Sequence, residues 1–139
     1  MKYFESKYVT VSWQESQQCI HTVWHGYVPS AEFRKGLLKG IELGIKVHAK
    51  RWLSDLRDMH IISIEDQKWI ETTFYPRMLL VGIRKLAFLK PTLPVTLMSV
   101  QRVIKKYDNK RLETAFFAEA GQAYAWFGGM LNLRSPSKR

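Results

Sequence analysis

The chain has 139 residues, 46% of them apolar, with 7 Phe, 6 Tyr and 5 Trp, which is the make-up of one globular domain and excludes intrinsic disorder. Lys and Arg outnumber Asp and Glu by 22 to 12, a formal net charge of +10, so an anionic partner enters on charge, although charge says nothing of fold. A single cysteine, Cys19, excludes an internal disulfide and a cysteine-cluster metal site, and it suits a reducing compartment, with the cytoplasm as the expected location.

The first seven residues, Met1 to Lys7, carry no apolar run and no small-residue cleavage site, so secretion is not expected. No transmembrane segment is expected either, since no stretch approaches the ~18 consecutive apolar residues that a spanning helix needs. Tyr8–Trp13 and Cys19–His25 alternate β-branched or aromatic residues with others and predict two strands, paired as an antiparallel hairpin across the short polar segment 14–18. Gly26 and Pro29 punctuate the exit, and Ser30 is placed to cap a helix from Ala31 to about His48. In that helix Phe33, Leu37, Ile41 and Ile45 recur every four residues. Gly36, Gly40 and Gly44 lie on its flank, and each forgoes ~1 kcal/mol of helix propensity relative to Ala. Close packing on a sheet is the favoured reason; a dimer contact or a shallow ligand groove are the alternatives.

Lys50–Leu56 predicts the next strand, and Arg57 to His60 a loop. Ser63 with Asp66 three residues on resembles a capping box and opens a second helix with Ile70, Phe74 and Met78 on one stripe. A kink or break is expected at Tyr75-Pro76, because proline removes a donor and biases its predecessor away from helix. Gly82 ends this helix and Ile83–Lys90 forms a strand apolar enough to be covered on both faces. Pro91 and Pro94 precede a third helix running through Tyr107, with Leu97, Val100, Val103 and Ile104 on one side and Arg102, Lys105 and Lys106 on the other. Residues 108–110 read as a turn, Leu112–Ala118 as a last strand and Glu119 to about Phe127 as a last helix, stopped by Gly128-Gly129. The order β-β-α-β-α-β-α-β-α implies an α/β fold whose mixed sheet opens with an antiparallel hairpin and continues in βα units. One domain is expected over residues 1–133, followed by a disordered tail at 134–139.

The element order, the strand end Trp52-Leu53-Ser54-Asp55, the helix start from Ser63 to Trp69, Met98-Ser99-Val100, and the closing Phe116-Phe117 and Ala123 to Phe127 resemble the SpoIIAA-like proteins. These are small bacterial α/β domains similar to STAS and CRAL-TRIO domains. The resemblance covers nearly the whole chain, rests mostly on packing positions and implies a non-enzymatic module. STAS antagonists carry a phosphorylatable serine after an aspartate at the end of the third strand; here Asp55 is followed by Leu56 and Arg57, which puts a kinase-controlled switch in doubt. CRAL-TRIO relatives hold an apolar ligand between helices and sheet, which makes such a ligand an expectation to test.

The chemistry-bearing residues are few. His21 and His25 lie four apart on a strand, roughly 13 Å from one another at ~3.3 Å per residue, too far to share a metal ion. His48 and His60 read as surface or loop residues, and Cys19 as a small buried hydrophobe. No nucleophile elbow, dinucleotide fingerprint or P-loop is present, so no catalytic residue, metal or cofactor is assigned. Asp55, Arg57, Asp58, Ser63 and Trp69 form a candidate ligand or partner loop; its acids and Ser63, with His60, are also the local grouping on which a small enzyme would rest, beside groups assembled from distant positions.

The basic excess is local. Residues 77–111 hold nine Lys or Arg against one acid, Asp108, a net +8, whereas residues 1–76 and 112–139 are each +1. Arg102, Lys105, Lys106, Lys110 and Arg111 form a candidate anion-facing patch for nucleic acid, anionic lipid or an acidic protein, without any nucleic-acid-binding motif beside it. Two readings result: a module that associates with a protein, itself as a homodimer, or a small apolar ligand, and a basic binder of an anionic partner.

Overall fold

Val9, Val11 and Trp13 are buried while Thr10, Ser12 and Gln14 between them are half-buried, the alternation of a strand covered on one face. In a computed structural model that describes residues 1–106 and 111–128, this strand belongs to a six-stranded sheet of order β1-β2-β3-β4-β5-β6. The strands are β1 (Lys2–Glu5), β2 (Val9–Gln14), β3 (Cys19–Gly26), β4 (Arg51–Met59), β5 (Lys85–Leu89) and β6 (Glu113–Phe117). The first two pairings are antiparallel and the remaining three parallel, so the mixed α/β sheet with its hairpin and βα units is as expected.

Each parallel step is crossed by helix: α1 (Ser30–Val47) between β3 and β4, α2 (Ile64–Trp69) and α3 (Tyr75–Val81) between β4 and β5, and α4 (Pro94–Ile104) between β5 and β6. All three steps move the same way across the sheet, and crossovers of one hand then stack their helices on one face. The core agrees. Ile20, Trp24, Trp52, Leu56, Leu86 and Phe88 from the strands meet Phe33, Leu37 and Ile41 of α1, Met78 of α3 and Val100 of α4 in one apolar cluster. On the other face Cys19, Leu53, Ala87 and Leu89 pack against Ala123 and Phe127, brought by α5 (Ala120–Trp126).

Several local expectations change. An additional edge strand, β1, precedes the hairpin: Lys2–Glu5 is too short and too polar at its ends to show a pattern, and pairing with β2 is what orders it. Ser30 does not cap α1; Pro29 occupies that position and the Ser30 hydroxyl instead donates to Asp66 at 2.8 Å. Arg57, Asp58 and Met59 are not a loop, because β4 runs on to Met59 beside His25 and Gly26 of β3. The helix is not broken at Tyr75-Pro76: a π-helical turn, Ile70–Phe74, links α2 to α3 just before the proline. Such a turn re-routes the backbone bonds around a residue that has no N–H to donate. Ser63 caps α2 as expected, accepting from the Asp66 N–H at 3.1 Å, and Gly82 ends α3 at φ 106°. Tyr107, the turn at 108–110, Gly129 and the tail at 134–139 lie outside the described residues.

The α1 glycines are packing devices. A β-carbon at Gly36 would lie 2.8 Å from the Trp24 ring, one at Gly44 would lie 3.0 Å from Val81, and one at Gly40 would overlap the Trp52 ring. Both indoles therefore lie against helix backbone, which draws α1 down onto β3 and β4.

Candidate functional site

The residues of the expected loop separate onto the two faces of the sheet. Ser54 faces the helices with Trp52 and Leu56, so Asp55 and Arg57 point to the face that carries α5. There Arg57 grips Asp55 with two side-chain bonds, Nε at 3.0 Å and Nη2 at 2.8 Å, and its backbone N–H adds a third at 3.1 Å. Burial alone would raise the Asp55 carboxyl, but the Arg57 bonds and charge outweigh it and hold the group below the usual carboxylate range. Asp58 lies 3.5 Å from His25 at the exposed strand end. Ser63 is occupied as a cap on the helical side.

Trp69 is half-buried, stacked at 6.2 Å on Phe74 and covered by the Arg34 guanidinium at 5.4 Å. The acid on this side is Asp66. It is 3% exposed and accepts from Ser30 and from Arg34 Nε at 2.9 Å, tying the start of α1 to the start of α2. No pattern in the sequence marks that link, because Ser30 and Asp66 are 36 positions apart.

His21 stands on the α5 face of β3 with its Nε2 buried and without a partner among the described residues, and its Nδ1 is 3.4 Å from Gln14. Burial lowers its pKa; the Asp55 charge opposes that shift and Arg57 adds to it. The buried Cys19 thiol is pushed up to about 12 by burial, against a smaller pull from Arg51, which leaves it an unreactive core group at neutral pH. His48 and His60 both lie exposed at the surface. No metal-ligating cluster occurs among the described residues.

An apolar recess opens in the helical layer between the sheet and α1, α3 and α4. It is a cavity of about 70 Å³, walled by Trp24, Trp52, Phe74, Met78, Phe88 and Val100 among other apolar side chains. Half-buried Ile70, Tyr75 and Ile104 form its edge. Phe88 stacks on Phe116 at 5.0 Å, and Phe74 meets Trp52 edge-on at 5.4 Å, so aromatic pairs fix two of its walls. Ser54 is the polar exception. It is 6% exposed, it lines the cavity, and its hydroxyl makes no hydrogen bond to another described residue. Thr22, buried beside it on β3, is by contrast taken, accepting from Trp52 Nε1 at 3.1 Å. The sequence holds one trace of this site: Trp52, Ser54 and Leu56 occupy one strand face, and a lone hydroxyl between them is out of place in a filled core.

Of the basic residues, Arg102 and Lys105 are exposed, while Lys106 bonds Glu71 at 3.0 Å. Arg111 is exposed and engages a partner. Lys110 lies outside the described residues. Arg102 and Lys106 share a surface groove with Lys68, Glu71, Ile64 and Val103, and Val103 also lines the cavity beneath.

Comparison with solved structures decides the fold. A crystal structure from Shewanella loihica PV-4, described as a DUF3478-family protein with a SpoIIAA-like fold, superposes with a TM-score of 0.62 over 89% of this chain and 98% of its own, at 13% sequence identity. This chain has a SpoIIAA-like fold. No family model matches the sequence, and no curated protein matches it. In a SpoIIAA-like sheet of this order the crossover helices all gather on one side, and the cavity lies inside that layer.

Proposed function

We propose that this SpoIIAA-like chain is a non-enzymatic, STAS-type binding module whose ligand is a small apolar molecule held between α1, α3, α4 and the sheet. The observation that carries the reading is the apolar cavity with the unpartnered Ser54 hydroxyl in its wall. That hydroxyl keeps accessible surface and is not sealed in the core, and it can both donate and accept. A ligand with one terminal hydroxyl or carbonyl group satisfies it, while the aromatic walls take the hydrocarbon. At about 70 Å³ the space is roughly half of an engineered cavity that accepts benzene. It therefore receives a narrow chain end, and anything wider enters by displacing Ile104 or Tyr75 at the edge.

The test is a titration of the protein with straight-chain alcohols and the matching alkanes, followed by amide chemical shifts. Saturable shifts at Ser54, Phe74 and Phe88, tighter for alcohol than for alkane, are expected. Val100→Phe, which fills the space, abolishes them. Shifts that never saturate, or that persist in a folded Val100→Phe protein, overturn the reading.

A further inference from the structure

The loops that leave β4 and β5 emerge at the same end of the sheet, because the two strands are parallel. They are tied together there: the Thr96 hydroxyl donates to the Met59 carbonyl at 3.1 Å and the Ile62 N–H donates to the Ser99 hydroxyl at 3.4 Å. At this end five apolar side chains stand in solvent, Ile61 (49% exposed), Ile64 (54%), Leu93 (42%), Val95 (51%) and Met98 (58%). Isolated exposed hydrophobics need no explanation, but a cluster does.

The α4 helix continues the pattern. At 100° per residue Val95, Met98 and Arg102 fall within about 60° of one another, with Lys105 and Lys106 extending the same stripe beyond the helix end. Thr96, Ser99, Val100 and Val103 are buried on the opposite side. The exposed stripe is thus apolar over its first half and basic over its second. Lys68 of α2 adds a further exposed charge beside Arg102. The acids nearby are Glu65 in the first turn of α2 and Glu71, which already accepts from Lys106.

We propose that this end of the molecule docks on an anionic lipid bilayer, with Leu93, Val95 and Met98 entering the headgroup boundary and Arg102, Lys105 and Lys68 meeting lipid phosphates. An apolar tip with a basic collar is complementary to such a surface on both counts. A second copy of the chain fits less well, since the same patch brings no excess of acid to meet its basic half. A nucleic acid satisfies the basic half and leaves the apolar half in water. No helix among the described residues is long and apolar enough to cross a membrane, so the docking is peripheral.

Co-sedimentation with phosphatidylcholine vesicles, with and without phosphatidylglycerol, tests this. Binding is expected only to the anionic vesicles and falls as salt rises. Met98→Asp weakens it about tenfold or more, by loss of apolar burial. The pair Arg102→Gln and Lys105→Gln weakens it by about 25-fold, roughly fivefold for each charge. Leu80→Asp, at a site on α3 that is 87% exposed, leaves it unchanged. Absence of binding to anionic vesicles overturns the proposal, as does binding that a folded Met98→Asp protein retains in full. Salt-sensitive binding to duplex DNA that ignores Met98, without vesicle binding, assigns the stripe to nucleic acid instead and overturns it. Mass that rises with concentration and reverts in Met98→Asp, again without vesicle binding, assigns the stripe to self-association and overturns it likewise. Val100→Phe keeps vesicle binding, so failure of the cavity reading and failure of this one are separable.

Discussion

Gly40 of α1 lies so close over the indole of Trp52 on β4 that a β-carbon there would overlap the ring. Helix propensity favours alanine over glycine by ~1 kcal/mol, whereas overpacking a well-filled site costs about 1–3 kcal/mol or more. Trp52 is 1% exposed and bonded to Thr22, so it has little freedom to yield. Gly40→Ala is expected to destabilise the protein by about 2 kcal/mol or more, the net of these opposing effects when the overpacking cost lies at the top of its range, as the overlap with a rigid indole implies. Gly121 in α5 has nothing within 4 Å of a built β-carbon, so Gly121→Ala is expected to stabilise by about 0.5–1 kcal/mol. Urea unfolding midpoints of the two variants, one moving down and one up, check the pair.

Thr22→Val leaves the shape of the core nearly unchanged but removes the acceptor for Trp52 Nε1. The orphaned indole N–H is buried, and the expected loss is about 1–3 kcal/mol. Trp52→Phe removes the donor as well, so the double variant should lose less stability than the two single variants added together. Denaturant unfolding of the full cycle measures that coupling.

The Asp55 carboxyl is held below its ordinary range when folded. Its contribution to stability is therefore present above the unfolded carboxylate pKa and is lost as pH falls through the lower folded value. Asp55→Asn is expected to cost roughly 1 kcal/mol near neutral pH, discounted because the Arg57 side chain is half exposed. The gap between variant and parent should close as the medium is acidified, and thermal melts across pH test it.

His21 behaves in the opposite chemical sense with the same sign in pH. Burial lowers its folded pKa, so between the folded and unfolded values the unfolded chain binds more protons, and stability falls as pH drops below the ordinary histidine range. Removing the titrating group with His21→Gln should flatten that region of the stability curve. An NMR titration of the ring protons should give a midpoint below the ordinary histidine value.

Strand and helix periodicity carried most of the architecture, because burial imposes it: Val9, Val11 and Trp13 on one face of β2, and Phe33, Leu37 and Ile41 on one face of α1, are unmistakable in sequence. The failures have a common cause. β1 is ordered by its neighbour more than by its own residues, the last turn of β4 is held by His25 and Gly26 of β3, and the π turn before Pro76 is a backbone adjustment with no residue signature. The Asp66 link to Ser30 and Arg34 joins distant segments. The cavity was the least legible feature, since Phe74, Phe88 and Val100 look the same in sequence whether the space between them is filled or open. Ser54, a hydroxyl on the apolar face of β4, is a trace of it and no more, since the neighbouring Thr22 hydroxyl is also buried and is satisfied by Trp52.

The strand order has a further consequence. Open parallel sheets commonly bind ligands in the crevice that forms where neighbouring crossovers diverge to opposite sides. Here β3, β4, β5 and β6 follow one another without a reversal, so no such crevice opens at the strand ends. A molecule of this topology has its recess within the helix layer itself, so a ligand approaches it from the side, past Ile70, Tyr75 and Ile104, and not from the strand ends.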